Sequence, residues 1–236
     1  MIHRTIRATR PTSAPRHEKD DQSTRQRLLE AAGQVFAEKG FDRATGKEIC
    51  ARADANTAAV NYHFGGMEGL YVAVVREAHS RLVTFDVLSA AVAGKADAQA
   101  KLQAVIELLV RTLTGPTTSS WVLRVIGREV VAPSPALDAL REEEMLPKTR
   151  ILRAIVGELM GLPEDHPAVA RGCVSVIAPC FMLLISDRHT LKRAFPNFGF
   201  DSQDAAAVVR HMVQFALAGL SAVAREVRKE AQIGSP

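Results

Sequence analysis

The feature that most constrains the fold is a pair of short helices joined by a tight turn, encoded by residues 45–64, TGKEICARADANTAAVNYHF. Thr45 is a good N-cap, and Glu48 follows three residues later, which is the spacing of a capping box. Asp and Asn tolerate left-handed backbone better than most residues, so a sharp turn is predicted at residues 54–56. A helix, a three-residue turn and a second helix form the helix-turn-helix arrangement, whose second helix enters the major groove of DNA.

The second helix is predicted over residues 57–63, and most of its side chains are small or polar. Methyl groups of Ala and Thr can contact thymine, and Asn can hydrogen-bond to adenine. Hydroxyl and imidazole groups can donate to phosphate oxygens, as can Lys and the free amides at a helix N-terminus. The predicted DNA-binding residues are therefore Thr45, Gly46, Lys47, Asn56, Thr57, Ala58, Ala59, Asn61, Tyr62, His63 and Met67. Two alternatives stay open: Tyr62 could pack in the core instead of contacting DNA, and His63 could have no role beyond capping its own helix.

The segment 24–71 resembles the DNA-binding domain of TetR/AcrR-type transcriptional regulators. The matching pieces are VFAEKGFDRAT, TGKEICARA, NYHF and GGMEGLY. Residues 128–148, REVVAPSPALDALREEEMLPK, are similar to the ligand-domain signature of the CecR/CerR-type subgroup. Two positions depart from the family pattern. Asp54 stands where Gly is usual in the turn, and Met67 stands where many members carry a Lys that contacts phosphate, which implies weaker anchoring there.

Helical periodicity continues along the rest of the chain, without an alternating strand pattern or a fixed-period repeat, so an all-α fold is predicted. Residues 1–21 are interpreted as a disordered basic arm, residues 22–66 as a three-helix DNA-binding domain whose first helix is capped by Ser23, and residues 67–236 as a helical-bundle domain for ligand binding and dimerisation. One long helix over residues 67–89 is predicted to connect the domains, because neither Pro nor Gly interrupts this stretch after Gly69. Further helices are predicted over residues 136–160, bent near Pro147, over 168–186 and over 201–231.

Composition agrees with a helical, DNA-binding chain of 236 residues. The hydrophobic fraction of 47% excludes general disorder, and the low aromatic fraction of 5% favours helices over sheets. Residues 1–66 hold 11 Lys or Arg and 8 Asp or Glu, so +3 of the net charge of +4 lies at the predicted DNA-binding end. This asymmetry supports DNA binding but would not establish it alone.

Cysteine usage and hydropathy indicate a cytoplasmic protein. Cys50, Cys173 and Cys180 show no C-x-x-C spacing, and we interpret them as small buried hydrophobic residues, with a disulfide across a dimer as the open alternative. The apolar run 172–185 has fourteen residues, short of the roughly 20 that a transmembrane helix needs, so a helix buried on all sides is predicted. No membrane association, cofactor or metal site is expected.

Candidate ligand-binding residues combine aromatic or Met side chains with Arg, a composition that suits an apolar or anionic molecule. They are Phe85, Trp121, Arg124, Arg128, Phe181 and Met182. Each could equally belong to the core. No nucleophile–base spacing or metal-protease motif is present, so an enzyme is not expected, and the acidic run 142–144 is interpreted as a solvated patch.

The leading hypothesis is a ligand-responsive repressor that binds a palindromic operator in double-stranded DNA as a homodimer. Its two recognition helices would lie about one DNA turn apart, roughly 34–36 Å, and a small-molecule effector that prefers another separation would release the protein. The dimer is predicted to form through helices near residues 168–186 and 203–230. The alternatives are an architectural or non-specific DNA-binding protein, and an all-α enzyme.

Overall fold

The computed structural model describes residues 16–115, 121–197 and 204–233, and every regular element within these ranges is a helix. The all-α prediction is confirmed. The helices are α1 (Arg16–Lys39), α2 (Gly46–Arg52), α3 (Ala59–Phe64), α4 (Met67–Leu82), α5 (Phe85–Val92), α6 (Ala98–Thr114), α7 (Trp121–Val131), α8 (Pro135–Leu140), α9 (Leu146–Met160), α10 (Pro167–Ile185), α11 (Arg188–Ala194) and α12 (Ala205–Ile233). A π-helical segment, Arg141–Met145, connects α8 to α9.

The first helix begins earlier than predicted. Ser23 lies inside α1 and does not cap it, and residues 16–21 are helical rather than part of a disordered arm. After Pro15 the sequence is rich in Glu, Lys, Gln and Arg and contains no Pro or Gly up to Gly33, so nothing local ends the helix there. Residues 1–15 of the predicted arm lie outside the described residues.

The turn between α2 and α3 forms where the sequence predicts it. Thr45 caps α2, since its hydroxyl accepts from the amide of Glu48 at 3.2 Å. Asp54 has a φ of 48°, the only positive value at a non-glycine residue in the part of the chain that the structure describes. The side-chain oxygen of Asn56 accepts from the amide of Ala58 at 2.9 Å, which initiates the turn that leads into α3. The regular part of α3 begins at Ala59, two residues later than predicted.

The predicted helix over residues 67–89 is wrong, because the chain breaks after Leu82. Val83 is extended, with its side chain 7% exposed, and the hydroxyl of Thr84 accepts from the amide of Val87 at 3.1 Å. This N-cap starts a new helix, α5, and gives the chain an alternative to continued helix without a Gly or Pro. The helix that leaves the DNA-binding region therefore ends after about 24 Å.

The helix predicted over residues 136–160 is also interrupted. The interruption is the π-helical segment Arg141–Met145, which precedes Pro147. Pro147 itself lies in the first turn of α9, where a missing amide hydrogen costs little.

Two buried cores divide the molecule. The N-terminal core joins α1–α4 to α7 and α8 and includes Phe36, Leu70, Trp121 and Leu140. The C-terminal core joins α5, α6, α9, α10 and α12, and α7 also contributes Leu123 to it. The three helices of residues 22–66 thus do not form a core alone, since so few residues bury too little apolar surface. The N-terminal core extends past the predicted domain boundary at residue 66.

Helices α10 and α12 each bury only one side. The prediction of a helix buried on all sides is wrong for α10, because Val174 is 68% exposed and Met182 is 54% exposed. By length and composition alone, α10 and α12 are each apolar enough to cross a membrane, and each packs one side against the C-terminal core. All three cysteines are buried free thiols. Burial raises the pKa of Cys180 to about 12, so this thiol is unreactive at neutral pH.

Candidate DNA-binding surface and ligand cavities

Ion pairs hold the helix-turn-helix against α1. The ammonium of Lys39 lies 2.8 Å from the carboxylate of Glu48, and the guanidinium of Arg52 donates to Glu38 at 2.9 and 3.1 Å. The hydrogen bond from Arg52 lowers the pKa of Glu38. Only half of the predicted capping box forms, because the Glu48 carboxylate binds Lys39 and does not return to the start of its own helix. These exposed pairs add little stability but fix the orientation of α2.

The surface of α3 that faces solvent carries the predicted base-contacting residues. Thr57, Ala58 and Asn61 are exposed, and Tyr62 is 76% exposed, while Val60 on the opposite side is 5% exposed and packs into the N-terminal core. Ala59 is half-buried. We call the exposed set Thr57, Ala58, Asn61 and Tyr62 the recognition face. A phenol and an amide held in solvent on a six-residue helix are available to DNA.

His63 lies apart from the recognition face. Its side chain is only 6% exposed, and its Nε2 lies 3.7 Å from a carboxylate oxygen of Asp21 on α1. The imidazole ring also contacts the rings of its two neighbours in sequence. Its centroid lies 4.8 Å from that of Tyr62 and 6.2 Å from that of Phe64. A phosphate contact by His63 would therefore require that Asp21 be displaced. The sequence did not reveal this, because the residues before Ser23 were expected to lie outside the helix.

Two helix N-termini lie side by side next to the recognition face. A Cβ atom added to Gly46, at the start of α2, would lie 3.6 Å from the sulfur of Met67, at the start of α4. Helix α4 also approaches the end of α3 so closely that a Cβ atom on Gly69 would overlap the carbonyl oxygen of Phe64. Lys47 is exposed beside them. The structure thus brings Thr45, Gly46, Lys47 and Met67 together, as the prediction of phosphate anchors requires.

One cationic side chain near α3 was missed from the sequence. The guanidinium of Arg25 on α1 lies 5.1 Å from the ring centroid of Phe64, in a cation–π contact. Arg25 is exposed and lies close to the end of the recognition helix. No local spacing relates residues 25 and 64, so only the helix packing reveals this neighbour.

The six candidate ligand-binding residues do not lie together. Arg124 and Arg128 line a cavity of about 1230 Å³ between the end of α1, the start of α4, α7 and the end of α10, which we call the interdomain cavity. Met182 lines a second, mostly apolar cavity of about 980 Å³ between α10, α11 and α12. Phe85 and Phe181 are each 43% exposed and line neither cavity. The separation follows from the break after Leu82, which moves Phe85 off α4, and from the outward rotation of Phe181 on α10.

Trp121 is buried in a contact between α7 and α1 and lines neither cavity. Its indole nitrogen donates to Glu30 at 2.6 Å, and a Cβ atom on Gly33 would come within 2.6 Å of the ring. Arg81 of α4 completes this contact, because its guanidinium lies 5.2 Å from the indole centroid and 3.1 Å from Glu30. Trp121 therefore fixes α7 to the DNA-binding helices.

A second group of contacts joins α7 to α1 and α4. Arg128 donates to the carbonyl oxygens of Ala37 and Glu38, at 3.4 and 3.3 Å, and so caps the C-terminal end of α1. Glu129 is 1% exposed, and its carboxylate accepts from the Tyr71 hydroxyl at 2.6 Å and from the amide and hydroxyl of Ser134. Burial raises the pKa of Tyr71, with Glu129 adding to the shift, so the phenol stays protonated.

Comparison with known proteins gives the family. A profile described as "Bacterial regulatory proteins, tetR family" matches residues 28–74, and one described as "HTH-type transcriptional dual regulator CecR, C-terminal domain" matches residues 98–220, more than half of the chain. The chain belongs to the TetR family. Its C-terminal domain is of the CecR type, and the prediction of a DNA-binding transcriptional regulator is confirmed.

Relatives extend this similarity over most of the chain. The chain is 26% identical to the HTH-type transcriptional repressor NicS of Pseudomonas putida over 209 residues, which cover 84% of the chain and 92% of NicS. It is 24% identical to the probable regulator YttP of Bacillus subtilis over 136 residues, which span 58% of the chain and 64% of YttP. The fold is shared with the Bacillus subtilis regulator FadR, solved with stearoyl-CoA, at a TM-score of 0.61 and 17% identity, covering 82% of this chain and 98% of FadR.

Proposed function

We propose that this TetR-family regulator is a homodimeric repressor that acts in the cytoplasm, binds a palindromic operator through α3, and leaves it when a small molecule occupies the interdomain cavity. The recognition face carries this proposal. Its exposed Asn61 and Tyr62 lie beside the adjacent N-termini of α2 and α4, so groups that read bases and groups that bind phosphate share one surface. In this role the chain needs no catalytic group.

The proposed dimer interface consists of α10 and α12. Phe215 is 73% exposed, Val174 is 68% exposed and Met182 is 54% exposed, so the sides of these helices that face away from the C-terminal core are apolar. Contiguous apolar surface of this kind is typical of interaction sites. Two copies of each helix would form a four-helix, two-fold interface, which also removes the apolar surface from water without a membrane.

Gly219 offers a clean test of this interface. A Cβ atom there would meet no atom within 4 Å in the single chain, so Gly219→Glu should not strain the monomer. The matched control is Gln214→Glu, an exposed position about 140° away around α12. Light scattering should show that Gly219→Glu is monomeric and that Gln214→Glu remains a dimer. A wild-type chain that is monomeric at micromolar concentration would overturn the proposed interface.

The interdomain cavity is the proposed effector site because it borders both parts that must communicate. Its walls include Phe41 and Tyr71 from the N-terminal region and Leu184 from α10. A ligand there contacts α1, α4 and α7 at once. It can lower operator affinity only if it binds the DNA-free arrangement of these helices more tightly than the DNA-bound arrangement.

Selection from fragmented genomic DNA tests the DNA-binding proposal. The wild-type protein should enrich a palindrome that it binds more tightly than random DNA at both low and high salt. Asn61→Ala should change the preferred bases at symmetric positions, whereas Tyr62→Phe should keep the preference and weaken binding by about 1 kcal/mol, the contribution of one hydrogen bond. Enrichment of no sequence over random DNA would instead support the architectural alternative.

A further inference from the structure

We propose that the effector is an anionic amphiphile whose head group binds Arg124 and Arg128 and withdraws Arg128 from the end of α1. The inference rests on the proposed function and specifies the chemistry of the effector and the contact that it breaks. It arises from two guanidinium groups that line the same cavity, of which one is occupied in a weak contact and the other is not.

The two arginines are placed to bind one anion. Arg124 and Arg128 are four residues apart on α7, so they project from the same side one turn apart, and both line the interdomain cavity. Arg124 makes no hydrogen bond or ion pair with any residue that the structure describes. Its charge contributes to the lowered pKa of Glu38 on α1, but that carboxylate already accepts hydrogen bonds from Arg52. Two planar donor forks at this spacing can bind a carboxylate or phosphate through several charge-assisted hydrogen bonds.

The acidic groups at the cavity do not neutralise this pair. Both oxygens of Glu129 already accept hydrogen bonds, from Tyr71 and Ser134. Asp187 caps α11 and accepts from the amide and hydroxyl of Thr190 at 2.8 and 2.7 Å, which lowers its pKa. Asp42 and Glu68 are exposed to solvent and lie on other elements of the cavity wall. Within the cavity, the uncommitted charges on α7 are therefore positive.

The remaining walls indicate an aliphatic body for the ligand. Leu113, Leu123, Leu183 and Leu184 line the cavity, and Ile185 lies at the end of α10 beside them. Aliphatic side chains favour a hydrocarbon partner through the hydrophobic effect, without the directional groups that a sugar or nucleobase would require. An alkyl chain that ends in a carboxylate or phosphate satisfies both parts of the site.

Competition for Arg128 gives the switch. In the free protein its guanidinium donates to two neutral carbonyl oxygens at 3.4 and 3.3 Å, near the long limit for such bonds. A bound anion offers shorter, charge-assisted hydrogen bonds, which are about twice as strong. Binding therefore moves Arg128 from α1 to the ligand. The end of α1, which leads directly to α2, loses its attachment to α7.

Operator release by matched probes tests this inference. Dodecanoate and dodecyl phosphate share a chain length with the neutral dodecanol. All three are added to wild-type protein on the operator obtained by selection, at one concentration below the solubility limit of dodecanol and below the micelle-forming concentrations of the two anions. We expect at least one of the two anions to bind and to weaken operator binding about tenfold or more, whereas dodecanol does not. The stronger anion identifies the head group. Equal effects of all three, or of none, on a protein that binds its operator specifically would overturn the inference while leaving the DNA-binding function intact.

Two variants separate binding from switching. Arg124→Gln should weaken anion binding about tenfold, measured by calorimetry, yet retain operator release at saturation because Arg128 still responds. Arg128→Gln should weaken operator binding before any ligand is added, and saturating ligand should then change it little. Arg128→Lys keeps the positive charge but loses the forked donor geometry of the guanidinium group. Thermal unfolding followed by circular dichroism verifies that each variant is folded. Full anion response in folded Arg128→Gln would overturn the proposed exchange.

Discussion

The two ends of α7 contact α1 in different ways. At one end, the Trp121 indole is 4% exposed, donates to Glu30 at 2.6 Å and fits against Gly33 so closely that no larger residue would be accommodated there. About 10 Å along the helix, Arg128 reaches the end of α1 with two long hydrogen bonds beside an open cavity. The first contact is suited to holding the domains together, and the second to being exchanged.

This difference shows how one helix can both anchor and release the DNA-binding region. Dry, close-packed contacts change conformation only at a large cost, whereas polar contacts at a cavity edge can be replaced by a ligand or by water. With the Trp121 end fixed, loss of the Arg128 contact would let α1 tilt about that end. Tilting would change the separation of the two recognition helices in a dimer without refolding either core, a rigid-body class of transition.

The largest expected effect follows from removal of the anchor. Trp121→Ala deletes a buried indole and should lower the free energy of unfolding by about 3–5 kcal/mol, measured by urea denaturation at fixed protein concentration. Val131→Ala is the control on the same helix, since Val131 is 69% exposed and should change stability by less than about 0.5 kcal/mol. A loss below about 1 kcal/mol for Trp121→Ala would show that this end is not an anchor.

The next effect concerns the buried carboxylate of Glu129, which follows Arg128 on α7. Tyr71→Phe removes a donor to Glu129, which is 1% exposed, and should lower the free energy of unfolding by about 1–3 kcal/mol. The chain has two tyrosines, and Tyr62 provides the matched control because it is 76% exposed and makes no buried hydrogen bond. Tyr62→Phe should leave stability almost unchanged. Equal losses from both substitutions would contradict the assigned role of the Tyr71–Glu129 contact.

Arg128→Gln should change stability by less than about 1 kcal/mol, because its contacts with α1 are long and border the cavity. Its effect should be local. The amide of Gly40 donates to Phe36 at 2.8 Å at the end of α1, and its hydrogen exchange should become faster, whereas exchange near Gly33 should not. Arg124→Gln, on the same side of α7 but without contact to α1, should change neither. Faster exchange throughout α1 would show that the two ends are not independent.

The smallest effect is a pH dependence from His79, which lies on α4. Burial lowers its pKa, as does nearby Lys148, while Glu144 and Glu129 oppose the shift, and its Nε2 has no partner among the described residues. The unfolded chain therefore binds a proton more readily than the folded one. The resulting stability is full above about pH 6.5 and decreases as the pH falls toward the lower, folded-state pKa.

The pH dependence assigned to His79 is checked by measuring the free energy of unfolding of His79→Phe and of the wild type between pH 5 and 8. Relative to the wild type, the variant should lose less stability below pH 6.5, and the control His189→Phe, at an exposed position on α11, should follow the wild type. Identical pH dependence of wild type and His79→Phe would show that the histidine does not contribute.

Local signals made much of the DNA-binding region predictable. The Thr45 cap, the left-handed turn at Asp54 and the outward orientation of Asn61 depend on residues within a few positions of one another, so the sequence pattern contains them. The break at Thr84 is local as well, but a Thr cap within an apolar run resembles ordinary helix when no Gly or Pro marks it.

The ligand region could not be predicted in the same way, because its contacts join distant parts of the chain. Trp121 and Glu30 are 91 residues apart, as are Arg128 and Ala37. The residue types on α7 led us to predict a ligand-binding role for Trp121, Arg124 and Arg128, but helical spacing alone cannot distinguish the buried indole from the two arginines that line the cavity. That distinction depends on where α1 packs against α7, which is a tertiary property.

One paired measurement tests the central claim most directly: the free energy of unfolding and the operator affinity of Trp121→Phe and Arg128→Gln, compared with the wild type under identical conditions. Trp121→Phe should lower stability by more than about 1 kcal/mol and keep operator affinity within about threefold, since the anchor loses its hydrogen bond to Glu30 but remains packed. Arg128→Gln should do the reverse, with nearly unchanged stability and an operator affinity lowered by more than about threefold. If the two variants changed stability and operator affinity in the same proportion, α7 would act as a single structural contact and the account would be wrong.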